Sequence, residues 1–246
     1  MGYRKKTYRT GPVIEIEKTY YVPRSQERAS KAAATAEAVK KNNDKLARRE
    51  LTRQLTTYFT ANDWFLALTY RKEERPDPET AKKQMKKFWR DMRKLYAENG
   101  QELFYISTTA IGSRGGIHHH AVVNYIDLRE IKKLWPYGQV RPVLTYMDGA
   151  FAALADYIID QNKTAPDKTE IIPGRRWSHS RNIKKVEPKI EEVSAKEWKK
   201  EPQPLKGYRI ILESVENGVN PITGIPYQFY RMIRIRRRNK SEQCFA

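Results

Sequence analysis

The stretch "ELFYISTTAIGSRGGIHHHAVVN", residues 102–124, indicates the centre of the fold. Bulky, β-branched and apolar residues stand on either side of "IGSRG", which is typical of two short strands. The glycines and the serine of "IGSRG" suit a hairpin loop. The two strands should therefore pair antiparallel.

The segments around this hairpin predict the order β-α-β-β-α-β-α between residues 62 and 163. "NDWFLALTY" and "QVRPVLTY" have the composition of strands. Asp77 followed by Pro78 indicates the start of a helix that ends at Gly100, and Asp127 starts a short one. With right-handed crossovers, this order gives an α+β fold, a ferredoxin-like or RRM-like palm whose antiparallel sheet carries helices on one face.

The palm is expected to span residues 61–165, with a basic part on each side. Residues 1–60 should form a basic arm, with at most a short strand at "VIEIEKTYYV", followed by a helix from about Ser30 to Phe59. Residues 166–246 should form a basic C-terminal extension, in which "NPITG" could be the turn of a hairpin.

The composition favours a polyanionic partner. The chain has 48 Lys and Arg against 29 Asp and Glu, a net charge of +19, and nucleic acid is the commonest partner of such a protein. There is no apolar run long enough for a membrane span and no signal peptide, so we expect a cytoplasmic protein that does not bind membranes. The single cysteine, Cys244, excludes an internal disulfide and a Cys-based zinc site.

Three of the chain's four histidines are consecutive, at residues 118–120. Successive side chains of a strand point to opposite faces, so His118 and His120 share one face and His119 lies on the other. Two histidines leave coordination positions open, which favours a metal that contacts a substrate phosphate over a closed structural site. The alternative is that they are ordinary polar residues on a solvated sheet face.

Tyr157 lies in "ALADYIIDQNK", on the last predicted helix of the palm. It falls outside the apolar stripe of that helix, and Asp160 and Gln161 are its neighbours on the helix surface. A tyrosine near a metal-bound phosphate can act as a covalent nucleophile. The alternative is that Tyr157 packs at a core edge, as most of the 15 tyrosines should.

The segments "FLALTY", "IHHHAVV" and "ADYII", in this order, resemble the motifs of the HUH endonuclease superfamily. They are most similar to rolling-circle replication initiator (Rep) proteins of bacterial plasmids, phages and integrative elements. The resemblance implies a site- and strand-specific nickase for single-stranded DNA at a replication origin, which stays joined to the 5′-phosphate and later rejoins the ends. It implies His118 and His120 as ligands of Mg²⁺ or Mn²⁺, and Tyr157 as the nucleophile.

The sequence departs from the family pattern in two places. Relatives often supply a third metal ligand, commonly Glu, from the strand before the histidines, and hairpin register puts Ala110 near that position. Many relatives have a lysine three or four residues after the tyrosine, where this chain has Asp160 and Gln161. Asp160 is therefore a further candidate metal ligand.

Three other functions stay open at this stage: a conjugative relaxase, a single-tyrosine transposase, and a non-catalytic nucleic-acid-binding protein whose ferredoxin-like sheet stacks bases. The chain has no phosphate loop of the G-x-x-x-x-G-K-[ST] type, so we expect no helicase domain of its own and regard a host helicase as a candidate partner. The predicted contacts to DNA are basic residues around one tryptophan that could stack on a base, namely Arg175, Arg176, Trp177, Arg181 and Lys184.

Overall fold

A computed structural model describes residues 2–21, 34–112, 115–145, 151–161 and 176–235. In chain order the helices and strands are β1 (Tyr3–Thr10), β2 (Val13–Tyr20), α1 (Ala36–Tyr58), β3 (Trp64–Thr69), α2 (Pro78–Glu98), β4 (Tyr105–Ile111), β5 (Ile117–Val123), α3 (Leu128–Lys133), β6 (Val140–Leu144), α4 (Ala152–Gln161), β7 (Ser178–His179), β8 (Lys189–Val193), β9 (Tyr208–Val219) and β10 (Pro226–Arg234). A 3-10 turn at Lys72–Glu74 precedes α2.

The chain divides into two compact units. Arg48–Lys185 form one unit, which we call the palm unit, and Met1–Ala47 with Val186–Ala246 form the other, the terminal unit. This division differs from the three consecutive parts expected from the sequence, because strands from both ends of the chain share one sheet. No helix in the described part of the chain is long and apolar enough to cross a membrane.

The palm unit contains the predicted α+β fold. Its sheet has the strand order β6-β3-β5-β4-β7, and all of its strand pairs are antiparallel. The first four strands have the order of a ferredoxin-like sheet, and β4 and β5 form the hairpin predicted around "IGSRG". The two-residue strand β7 adds a fifth strand at the β4 edge.

Helices α2 and α3 cover one face of the palm sheet. The Asp77 side chain accepts hydrogen bonds from the backbone N–H groups of Glu79 and Thr80, which fixes the start of α2 where the sequence predicted it. The core between these helices and the sheet consists of buried apolar side chains, including Leu66, Leu68, Phe88, Met92, Ala121, Val123, Ile131 and Trp135. The prediction of helices on one face holds for α2 and α3, whereas α4 lies over the other face, where its Tyr157 contacts His120.

The terminal unit is built on a second antiparallel sheet, with the order β8-β1-β2-β10-β9. The hairpin predicted around "NPITG" is present as β9 and β10. The expectation of an N-terminal arm with at most a short strand was wrong, because β1 and β2 are each eight residues long and pair over their full length. Ile14 and Ile16 of β2 are buried with Tyr230 and Met232 of β10, which gives this sheet its own core.

Candidate active site

The central strand β5 carries the three histidines. His118 and His120 project from one face of the sheet, and their ring centroids are 4.9 Å apart with the ring planes at 89°. His119 projects from the other face, which α2 and α3 cover. The alternation of side chains along a strand thus brings two of the three imidazoles together.

His119 is a structural residue of the core. It is 1% exposed, its Nδ1 is hydrogen-bonded to the Thr109 hydroxyl at 2.7 Å, and its Nε2 to the Tyr70 hydroxyl at 2.9 Å. Burial, followed by the neighbouring His118 and His120, lowers the pKa of His119 to about 3. Since both ring nitrogens are engaged, His119 has none left for a metal.

His120 is neutral at physiological pH and has an unsatisfied ring nitrogen. It is 5% exposed, and burial, with a smaller effect of His118, lowers its pKa to about 4. Its buried Nδ1 has no hydrogen-bond partner within the described ranges. The Phe65 ring of β3 stacks parallel to the imidazole, with centroids 5.6 Å apart. The imidazole is therefore held in place while keeping the lone pair that a metal ligand needs.

Tyr157 lies on α4, above this pair of histidines. Its hydroxyl oxygen is 3.5 Å from Nε2 of His120, and its ring meets the edges of the His120 and Phe65 rings. The residue as a whole remains 42% exposed, so it is not enclosed in the core. Partial burial raises the pKa of Tyr157, so the phenol keeps its proton at neutral pH unless positive charge is supplied beside it.

The strands beside β5 place small, uncharged residues next to the two histidines. On β4, Ala110 stands opposite His118 and Thr108 opposite His120. Ala110 therefore occupies the place where a third ligand was sought, and it is 3% exposed. Residues 2–235, apart from their undescribed gaps, contain no group of three or more His, Cys, Asp or Glu side chains that could hold a metal.

The donor set fits a divalent metal with several open positions. Two imidazoles on one face, one of them with an unsatisfied nitrogen, are suitable ligands for Mn²⁺, which tolerates nitrogen better than Mg²⁺ does. Water and substrate oxygen are suitable ligands for the remaining positions. The coordination of such a metal would be complete only with a substrate bound, whereas protein side chains supply all the ligands of a structural metal site.

Asp160 binds Arg48 and does not form a group with the two histidines. Nη2 of Arg48 donates to Asp160 at 2.5 Å, and Nη1 donates to Asp156 at 2.7 Å. One guanidinium from α1 thereby bridges two carboxylates that lie one turn apart on α4, on either side of Tyr157 in sequence. Asp160 therefore has an ion-pair partner in this structure, and its role as a metal ligand stays a prediction.

Three residues near the site were missed by the sequence analysis: Phe65, Arg48 and Arg75. The alternation of β3 could have identified Phe65, because it shares a face with Ala67 opposite His120. No local pattern could have identified Arg48, since its partners are more than 100 residues away. The Arg75 guanidinium carbon lies 3.4 Å from the position of a Cβ added to Gly116, which places a cation against the loop that precedes His118.

The predicted DNA contacts lie in a segment that joins the palm sheet through β7, except Arg175, which lies outside the described residues. The Arg176 carbonyl accepts a hydrogen bond from Thr108, beside His120, and the Trp177 indole donates to Gln54 of α1. Arg181 and Lys184 are exposed. Trp177 is half-buried, whereas the two cations are open to solvent.

Residues 63–162 match the model of a family described as "Replication-associated protein ORF2/G2P". The match covers β3 to α4, and so includes His118, His120 and Tyr157. It supports a Rep-like replication initiator. No curated protein and no solved structure matches the chain.

Proposed function

We propose that this protein initiates rolling-circle replication by nicking and rejoining single-stranded DNA at an origin through a tyrosine-linked intermediate. The observation that carries this proposal is the position of Tyr157, whose hydroxyl lies 3.5 Å from His120 on the face that also presents His118. The similarity of residues 63–162 to replication-associated proteins supports the same role.

The reaction makes one bond to phosphorus and breaks another. The Tyr157 oxygen attacks the phosphorus of a phosphodiester, the phenol proton leaves to solvent, and the bond to the 3′-oxygen breaks. The 3′-oxygen takes a proton and becomes the free 3′-hydroxyl that can prime synthesis, while the 5′-phosphate stays on Tyr157. Attack of a 3′-hydroxyl on this phosphotyrosine reverses the step and rejoins the strand.

Tyr157 needs help to become a nucleophile, because burial raises its pKa. His118 and His120 would hold Mn²⁺ or Mg²⁺, which supplies positive charge to the scissile phosphate when bound. His120 is suited to this role because its lowered pKa keeps the imidazole neutral at physiological pH. Phe65, stacked on His120 and in edge contact with Tyr157, keeps the two rings in place.

Arg48 prepares the tyrosine helix for an anionic substrate. Asp156 and Asp160 would otherwise place two negative charges beside Tyr157, and these would repel a DNA phosphate. The guanidinium bridges both carboxylates and also ties α1 to α4. It therefore offsets the local charge and fixes the helix that carries Tyr157.

The proposal is tested by the covalent intermediate. The full chain is incubated with Mn²⁺ and labelled single-stranded oligonucleotides from the DNA around its own gene, and protein-linked DNA is resolved on denaturing gels. We expect an adduct that needs the metal and is absent in Tyr157→Phe, which keeps the ring contacts with Phe65 and His120. Tyr125→Phe, at an exposed tyrosine stacked on Trp64, is the matched control and should form the adduct normally.

Two outcomes would contradict the proposal. An adduct that persists in Tyr157→Phe would give the nucleophile to another residue. Tight binding without cleavage, whichever divalent metal is added, would favour a binding protein with a ferredoxin-like sheet. If nicking is observed, we expect a host helicase to unwind the duplex, and addition of host extract should then extend the strand displacement.

A further inference from the structure

The terminal unit contains a cavity that the proposed chemistry does not use. Its volume is about 590 Å³, and it lies where the start of β1, the end of β2 and the end of β8 meet. Its lining includes Tyr3, Arg4, Tyr20, Tyr21 and Glu192. This volume is in the range of small-molecule sites. Side-chain alternation puts Tyr3 and Tyr20 on one face of the sheet and Arg4 and Glu192 on the other, where Arg4 contacts the Tyr21 ring.

The aromatic residues of the cavity lining differ in how tightly they are packed. Trp198 packs against Tyr3 and Tyr20, with ring centroids 5.2 and 4.8 Å apart, and the Tyr20 hydroxyl donates to the Lys196 carbonyl. Tyr21, by contrast, is 64% exposed. A ligand ring can therefore stack on Tyr21 without displacing the packed rings of Tyr3, Tyr20 and Trp198.

The charges in the cavity favour a nucleobase over a free anion. The Arg4 guanidinium lies 5.3 Å from the centre of the Tyr21 ring, so it supports this ring by a cation–π contact. Glu192 is the partner of Arg4 in the β1–β8 register, which adds a negative charge to the same lining. A donor and an acceptor beside an exposed ring match the edge of a base, which presents both kinds of group.

We propose that this cavity binds one unpaired base of single-stranded DNA, stacked on Tyr21, with its edge hydrogen-bonded to Arg4 and Glu192. The choice of DNA over RNA rests on the proposed function; the choice of an unpaired base rests on the cavity itself. A base inside a duplex is covered by its neighbours and cannot offer its face to Tyr21. The terminal unit would thus contact single-stranded DNA independently of the metal chemistry of His118 and His120.

Binding of a labelled single-stranded oligonucleotide of mixed sequence to the full chain, with EDTA present to prevent cleavage, tests this proposal. Tyr21→Ala should weaken binding by about 5- to 140-fold, the range for loss of one base–aromatic stack, while Tyr21→Phe keeps the ring and should stay close to wild type. Leu212→Ala is the matched control, since Leu212 is 76% exposed on β9, at the other edge of the same sheet. Its affinity should be unchanged.

Photo-crosslinking locates the contact directly. With 5-iododeoxyuridine in the oligonucleotide, a cross-linked peptide that contains Tyr21 is expected. Unchanged affinity of Tyr21→Ala, or cross-links confined to palm peptides, would overturn the proposal, as would equal affinity for duplex DNA or tighter binding of RNA. The Tyr157 adduct is a separate readout. If Tyr21→Ala weakens binding but no adduct forms, only the nickase proposal is contradicted. If the adduct forms but Tyr21→Ala binds as tightly as wild type, only the proposed base site is contradicted.

Discussion

The three consecutive histidines have two different chemical roles, because successive side chains of a strand point to opposite faces of the sheet. His119 uses both ring nitrogens in the core, whereas His120 directs Nε2 towards the Tyr157 hydroxyl and has no partner for Nδ1 among the described residues. This separation was predictable from the sequence, since the alternation of side chains is a property of any strand. The ion pairs of Asp160 and Asp156 with Arg48 were not predictable, because they depend on how α1 packs against α4.

The histidine roles predict different effects of substitution on metal binding and on stability. His118→Ala and His120→Ala should each abolish Mn²⁺ binding, measured by titration calorimetry of the full chain. His119→Gln should bind Mn²⁺ almost as tightly as wild type and lose about 1–3 kcal/mol of stability through its buried hydrogen bonds. Equal losses of Mn²⁺ affinity in all three variants would show that the ligands are not divided by face.

Arg48 is expected to act as a positioning residue for Tyr157. Arg48→Gln removes the guanidinium that bridges Asp156 and Asp160. Adduct formation should slow by about 10-fold or more, because a small misplacement of a reacting group slows the reaction strongly. The affinity for Mn²⁺ should stay unchanged. Arg129→Gln is the control, because this exposed arginine also pairs with an aspartate but lies on α3. If Arg48→Gln lost metal affinity and activity together, the residue would have a general structural role instead.

At the scale of whole elements, local sequence signals were sufficient to predict the helices and strands of the palm unit, but they did not predict the sheet of the terminal unit. The cap at Asp77 and the hairpin around "IGSRG" are determined by neighbouring residues, so the sequence was sufficient to predict them. Strand β2, however, pairs with β10, more than 200 residues further along the chain. The pairing of Ile14 with Met232 buries side chains that no local pattern associates, so the arm was not recognised as part of a sheet.

The turn before β6 holds the end of β3 by a close backbone approach. A Cβ added to Gly138 would lie 2.1 Å from the Thr69 carbonyl oxygen, which already accepts a hydrogen bond from the Trp135 indole. Gly138→Ala should therefore force β3 and β6 apart and lower the unfolding free energy by about 1–3 kcal/mol, measured by urea denaturation. In Gly112→Ala the new Cβ has no neighbour closer than 3.6 Å, so this variant should match wild type. Similar urea midpoints for Gly138→Ala and Gly112→Ala would contradict the close approach of Gly138 to the backbone of Thr69.

The whole molecule combines an excess of positive charge with two sheets that belong to separate units. A net charge of +19 predicts binding to single-stranded DNA that weakens steeply with salt, because each phosphate contact releases counterions. The slope of log affinity against log salt should be about −0.7 for each phosphate that the protein neutralises on a single strand. The slope therefore gives the number of phosphate contacts, and substitution of single cationic residues can show which residues make them.

Arg181 and Lys184 are two of the exposed cations in the segment that follows β7, and they should account for part of that slope. The double variant Arg181→Gln/Lys184→Gln should reduce its magnitude by about 1.4, two contacts at 0.7 each, measured by fluorescence anisotropy with EDTA present. Lys82→Gln/Lys94→Gln removes the same charge from exposed positions on α2, which covers the face opposite His118, and should leave the slope unchanged. An equal reduction in both double variants would mean that overall charge attracts DNA without a defined path. A reduction in the first alone would place the DNA strand along the segment that follows β7, at the β4 edge of the palm sheet.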